Sequence, residues 1–406
     1  MPHSRFSALN HRAYRTFWIG QGVSIVGTWM QTTARSWLVY ELARGSGHEG
    51  GALGMVSLAL AIPAISLSLP AGVLVDRFDR WRLVVACQVA YLFVAVSLTL
   101  LTLLGSITIW QVILLSLCQG VVNALEMPAR QSWVVDLVPA EDRANAIALN
   151  SLAFTLARIV GPSLAGLLLA VAGASWCFFL NSLSFVAVLW SLFRIPHPLR
   201  TRGSTPPPTP LRESLGFIRR DPVVGPLLLM VGMMALVGMN YLVLTPLLAA
   251  DVLHTKAQGY GVLMAAVGVG SLLAAAGLTL RSHDPTLLRG RRVLLGSLAL
   301  GVSQCLVAVT GQFWVAVPLM ALMGWGMLSQ NTTSNTLLQE RTPPHLRGRV
   351  LSIYSMFMLG MVPLGGLLAG LVADQVGVQW TQACSGVLCL TLVGLTYRYS
   401  PELSRI

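Results

Sequence analysis

Pro139-Ala-Glu-Asp-Arg143-Ala-Asn-Ala-Ile-Ala-Leu-Asn-Ser151 and Pro343-Pro-His-Leu-Arg347-Gly-Arg-Val-Leu-Ser-Ile-Tyr-Ser355 stand 204 residues apart and share their proline, arginine and serine positions. The register extends outward without a gap. Trp110 matches Trp314 and Gly120 matches Gly324 on one side. Gly161, Gly166 and Gly173 match Gly365, Gly370 and Gly377 on the other. Both copies lie in long apolar segments. A membrane chain made of two similar halves in the same order contains an internal parallel repeat, and a substrate pathway is expected at the seam.

Composition agrees with a membrane chain. Hydrophobic residues make up 55% and charged residues 10%, against roughly 25% charged in a soluble domain. A helix crosses the bilayer core with about 20 apolar residues. Twelve such stretches are read near 16–40, 51–74, 82–104, 107–134, 144–172, 176–194, 223–250, 258–280, 292–311, 313–338, 347–372 and 379–398. They are too continuous for barrel strands, which alternate. The first follows Arg5, Arg12 and Arg15, but its length and the lack of a small-residue cleavage site argue against a signal peptide. The expected fold is an all-α membrane protein with twelve transmembrane helices in two pseudo-symmetric halves. The N-terminal six-helix bundle covers 1–194, a cytoplasmic linker 195–222 and the C-terminal six-helix bundle 223–406.

The net charge is +12. Basic residues gather in the N-terminus, the even-numbered loops and the C-terminus, and the odd-numbered loops contribute only Arg44 and Lys256. That asymmetry places both termini in the cytoplasm and assigns the excess charge to membrane headgroups, not to nucleic acid. The linker contains Arg200, Arg202, Pro206, Pro207, Pro208 and Pro210, which favours an extended chain. Leu211 to Arg220 reads either as disordered linker or as an interfacial helix with Leu215 and Ile218 toward lipid. The six cysteines Cys87, Cys118, Cys177, Cys305, Cys384 and Cys389 lie in apolar stretches without metal-ligand spacing. No metal or cofactor is expected, and no nucleophile–base pair points to an enzyme.

Polar residues inside spans are the candidates for function, because they are costly there. In the fourth span, Gln119, Asn123, Glu126 and Arg130 are spaced for one helical face. The repeat sets neutral Gln330 opposite Glu126. Arg158 lies near the middle of the fifth span and is a candidate partner of Glu126. Arg35 follows Gln31 by one turn, and either lines the cavity or snorkels outward near Glu41. Asn240 and Tyr241 in the seventh span and Gln330 and Asn331 in the tenth complete the expected cavity. Gly161-Pro162, with Gly166 beyond, predicts a kinked and closely packed fifth helix. After the second span, Gly72 allows close helix approach, and the acids Asp76 and Asp79 can pair with Arg77, Arg80 and Arg82 across a tight turn.

Several runs carry a family resemblance: Pro128-Ala-Arg-Gln-Ser132, Leu137-Val-Pro139, Arg143-Ala-Asn145-Ala, Leu149-Asn-Ser151, Arg158-Ile-Val-Gly-Pro162 and Gly259-Tyr-Gly261. Over nearly the whole chain they resemble the major facilitator branch of enterobactin exporters and macrolide-efflux-like pumps. The resemblance implies alternating access, with Gly72, Asp76, Arg77 and Arg80 forming a cytoplasmic gate. Asp79 stands where that family usually has glycine. Ala148, Ala157 and Ala165 replace three glycines of the exporters' fifth-helix pattern. Ser116 stands where proton-coupled exporters often have an arginine, a departure from that version of coupling. Glu126, the acid best placed in the first half's membrane region, is the candidate coupling residue. The expected function is proton-coupled export of a small amphipathic or siderophore-like compound from a bacterial inner membrane. Expected partners are the lipid bilayer, the substrate and protons, and a monomer is the simplest state. Metabolite uptake and a non-transporting interaction scaffold are the alternatives.

Overall fold

The computed structural model describes residues 7–67, 78–135, 137–195, 211–280 and 289–405, and among them regular structure is entirely helical. A 3-10 turn (Ser7–Asn10) leads into α1 (Arg12–Ala43), α2 (Glu49–Ser66), α3 (Arg80–Leu103), α4 (Ile109–Val135), α5 (Arg143–Val171) and α6 (Ala174–Phe193). The short α7 (Leu211–Arg220) precedes α8 (Val224–Gly238), α9 (Tyr241–Leu247), α10 (Ala257–Leu280) and α11 (Arg289–Val309). Then come α12 (Phe313–Arg341), α13 (Pro344–Val376) and α14 (Val378–Tyr399).

Among the described residues, 11 helical segments are long and apolar enough to cross a membrane. The predicted stretch 16–40 is not one of them. It lies in α1, whose 32 residues span about 48 Å at 1.5 Å per residue. Length is therefore sufficient, and composition sets α1 apart. Gln21, Ser24, Gln31, Thr33 and Arg35 are all buried on it, so these polar positions face protein.

The chain forms two compact units. Unit 1 takes the described residues up to Ala43 and from Met55 to Ile195. Unit 2 takes Arg44–Gly54 and the described residues from 211 onward. Within unit 1, α1 packs on α5 and α6, and α3 on α4 and α6. Within unit 2, α8 packs on α13 and α14, and α11 on α12 and α14. This is the same pairing shifted by one repeat.

The matched residues do matched work. A Cβ on Gly161 would lie 2.5 Å from the Cβ of Trp29 on α1, and one on Gly365 would strike the Leu236 carbonyl of α8. Gly120 meets the Leu60 carbonyl, as Gly324 meets that of Val267. Gly173 and Gly377 open α6 and α14 at φ 83° and 88°, where other L-residues are strained. Trp110 and Trp314 are 74% and 78% exposed at the starts of their helices, as interfacial anchors would be.

In unit 1 the start of the chain is tied to the quoted stretch. His11 Nε2 lies 2.7 Å from Asp142, Tyr14 donates to the Ala146 carbonyl at 2.8 Å, and Asn145 accepts from the Ala8 amide at 3.1 Å. In unit 2, α7 packs beside the matching segment, with His345 3.5 Å from Glu213. Phe217 and Ile218 pack on a core cluster containing Val223, Leu227 and Val350. The expectation that Ile218 faces lipid is corrected, because its side chain is drawn into this core. Leu215 is exposed.

Candidate functional site

In unit 1 the site begins on α4. Gln119 and Glu126 are buried and Asn123 partly so, which follows from their spacing on one face. Arg35 of α1 donates to Gln119 Oε1 at 2.7 Å, with both groups buried. The arginine therefore joins the α4 face and does not snorkel outward. Glu41 instead accepts from the Trp37 indole at 2.7 Å. One turn before Arg35, Gln31 accepts from Asn181 of α6 at 2.8 Å.

Glu126 forms an ion pair with Arg130 at 2.7 Å, four residues on along the same helix. Glu126 is 7% exposed, and its bond to Arg130 is part-buried. Tyr91 of α3 donates to Asn123 Oδ1 at 2.5 Å and holds the amide between Gln119 and Glu126. Arg158 lies over the Trp29 ring, 5.4 Å from its centroid, within cation–π range. The ion pair shown for Glu126 is thus with Arg130 and not with the expected Arg158.

Pro162 cannot donate to the carbonyl one turn back, and α5 runs as one helix from Arg143 to Val171. Gly161 provides the close approach to α1, and Gly166 is buried.

In unit 2 the seventh span breaks at Met239 and Asn240, between α8 and α9, and ends in a π-helical turn at Leu248–Val252. Gln304 of α11 donates to the Gly238 carbonyl at 2.8 Å and satisfies a group that the break releases. Asn331 lies beside the break, its amide 3.8 Å from the Met239 sulfur, and its carbonyl accepts from Tyr354 at 3.2 Å. Tyr241 is buried at the start of α9. Gln330 is fully buried, and among the described residues neither of its amide atoms has a hydrogen-bond partner. Leaving such a group unmatched costs about 1–3 kcal/mol. The polar centre of unit 1 carries charge, whereas Asn240, Gln330 and Asn331 are neutral.

Gly72, Asp76 and Arg77 lie outside the described residues. Arg80 begins α3, and Asp79 caps that helix by accepting from the Arg82 amide at 2.9 Å. The cap gives Asp79 a structural reason to differ from glycine. Asn181 and Gln304 were missed in the sequence, although each is a lone amide in an otherwise apolar span. Among the described residues no cluster of histidine, cysteine or acid could hold a metal ion.

The model of the transmembrane secretion effector family matches residues 3–403. The chain belongs to that family of major facilitator transporters. It is a multi-pass membrane transporter and not an enzyme. Curated relatives include a staphyloferrin A transporter of Staphylococcus aureus, 27% identical over 91% of this chain and 92% of that protein. A macrolide efflux protein A of Streptococcus pyogenes is 24% identical over 94% of each chain. An enterobactin exporter of Citrobacter koseri is 26% identical over 96% of this chain and 94% of its own. A solved bacterial homologue of the human lysosomal transporter Spinster has TM-score 0.72 at 14% identity, over 97% of this chain and 98% of that one. A D-xylose–proton symporter has TM-score 0.71 at 16% identity, over 95% and 98%. These two likenesses concern the fold.

Proposed function

We propose that this transporter exports a small amphipathic or siderophore-like compound in exchange for protons, by alternating access at the bacterial inner membrane. The observation that carries the reading is the part-buried Glu126–Arg130 pair on the α4 face that also carries Gln119, the acceptor of Arg35 from α1. The coupling step in this reading is uptake of a proton by Glu126 in one conformation and its release in the other. Arg35 and Arg130 can meet an anionic or strongly polar substrate in unit 1, while Asn240, Gln330 and Asn331 offer neutral contacts in unit 2. The relatives named for siderophore and macrolide transport support this substrate class.

In this reading both termini are cytoplasmic, α1 is the first of twelve spans, and the functional halves are 1–194 and 223–406, joined by the 195–222 linker. The chain acts as a monomer. Gly72, Asp76, Arg77 and Arg80 form the cytoplasmic gate, a role drawn from the sequence resemblance. Asp76→Asn should lower export while the protein still reaches the membrane, and unchanged export with unchanged cytoplasmic accessibility would remove the gate role.

Glu126→Gln tests the coupling step. The variant should lose efflux driven by an imposed pH gradient but retain downhill exchange of labelled substrate. Full pH-dependent efflux by a well-expressed Glu126→Gln protein would reduce Glu126 to a packing residue. A uniform loss of folded protein is controlled by Glu126→Asp.

A further inference from the structure

A cavity of about 870 Å³ opens in unit 2 between α7 and the start of α13. The transport site does not use it. Leu215, Phe217 and Leu346 give it an apolar side, and Arg219, Arg220 and His345 a polar one. The two spans beside it both begin at this end, α8 at Val224 and α13 at Pro344. The cavity therefore lies at the membrane surface, at the level of the lipid headgroups.

The position of α7 is set by its neighbours. Ser214 is fully buried, and Phe217 and Ile218 pack on the core, at the spacing of one helical face. A Cβ on Gly225 would lie 2.6 Å from the Ile218 carbonyl, so the turn into α8 is tight. Asp221 closes that turn by accepting from the Val223 and Val224 amides at 2.9 and 2.8 Å. Leu215, Arg219 and Arg220 are left outward and exposed.

The charges around the cavity do not cancel. Asp221, the acid next to the arginines, is turned to the α8 amides. Glu213 lies 3.5 Å from His345 and is separated from Arg219 by about 9 Å of helix. Among the described residues neither Arg219 nor Arg220 has a salt bridge. Arginines in the last turn suit the helix dipole, but the dipole gives no reason for a cavity beside them. Guanidinium groups bind phosphate oxygens in pairs, and basic pockets at the ends of membrane helices hold anionic headgroups. A free phosphate would engage the arginines alone. The apolar side of the cavity is covered only by a ligand that also carries a glycerol and acyl chains.

We propose that this cavity binds the headgroup of an anionic phospholipid, with Arg219 and Arg220 on its phosphate and Leu215 and Phe217 beside its glycerol and chains. The purified full chain in detergent is titrated with phosphatidylglycerol, phosphatidylcholine or inorganic phosphate and followed by native mass spectrometry. The parent should hold a phosphatidylglycerol about tenfold or more tighter than phosphatidylcholine, and excess phosphate should not displace it. Arg219→Gln/Arg220→Gln should remove that preference, and Arg219→Lys/Arg220→Lys should keep most of it. Arg398→Gln/Arg405→Gln takes away two exposed charges that do not line the cavity and should leave binding unchanged. Equal weakening by both glutamine pairs would show diffuse attraction to a basic surface and overturn the site. Equal retention of the two lipids, or displacement by phosphate, would overturn it too.

If the Arg219→Gln/Arg220→Gln protein fails to fold, a photoactivatable phosphatidylglycerol on the parent decides. Adducts should map to residues 211–220 or 343–349, and adducts confined to other segments would overturn the proposal. No step needs a transported substrate or a gradient. A negative result therefore leaves the export reading standing, and a failed export assay leaves the lipid site testable.

Discussion

Asn181 and Gln31 illustrate what an amide costs inside an apolar helix bundle. Their hydrogen bond is buried, so Asn181→Leu leaves Gln31 Oε1 unmatched. The loss of about 1–3 kcal/mol should lower the thermal midpoint by several degrees in a detergent-solubilised melt. An unchanged midpoint would show that the pair contributes nothing. Arg130→Gln leaves Glu126 without its cation, a loss of about 1.5–3 kcal/mol for a hydrogen bond between charged groups. The double variant Glu126→Gln/Arg130→Gln should recover much of that loss in the same melt, whereas additive losses would refute an isolated pair. The α4 residues were readable because their spacing places them on one face. The burial of Arg35 was not, because it depends on Gln119 of another helix. Asn181 had no periodic companion to announce it.

Elements show where local chemistry decides and where packing overrides it. Gly173 and Gly377 begin α6 and α14 at φ 83° and 88° with extended ψ, so alanine at either should cost roughly 1–3 kcal/mol of strain. Gly365→Ala should cost more, because its Cβ would overlap the Leu236 carbonyl and two helix backbones must separate to admit it. Thermal melts of the three variants check the order, and an equal effect at Gly365 and Gly173 would contradict it. The α8–α9 break lies beside Gly238 and before Pro246, so its place was partly legible. Small local adjustments and neighbouring helices can absorb the hydrogen bond lost at Pro162, and α5 continues through the proline. The inward packing of Ile218 likewise required the core at the start of α8, which an amphipathic pattern does not reveal.

At the scale of the molecule, the repeat was readable from paired glycines and prolines, because each pair serves the same backbone contact or turn in its own unit. The grouping of Arg44–Gly54 with unit 2 was not readable. It depends on the Asp374 carboxylate accepting from the Gly50 and Gly51 amides and on contact of Gly50 with Gly370, neither of which alters hydropathy. The polarity of α1 had the same cause as its burial, so composition alone understated its place among the spans. The proposed topology predicts that a cysteine at Lys256 reacts with an impermeant reagent on intact cells, while one at Arg292 does not. Labelling at 292 but not at 256 would invert the map.

The central claim, proton-driven export, is tested most directly with purified protein in proteoliposomes under an imposed pH gradient. The probes are a catecholate siderophore, a citrate-type siderophore and a macrolide. The account predicts that at least one probe moves against its gradient, that an uncoupler abolishes the movement, and that the moving probe carries protons the opposite way. Equal transport with and without the gradient, or movement of probe and protons in the same direction, would contradict it.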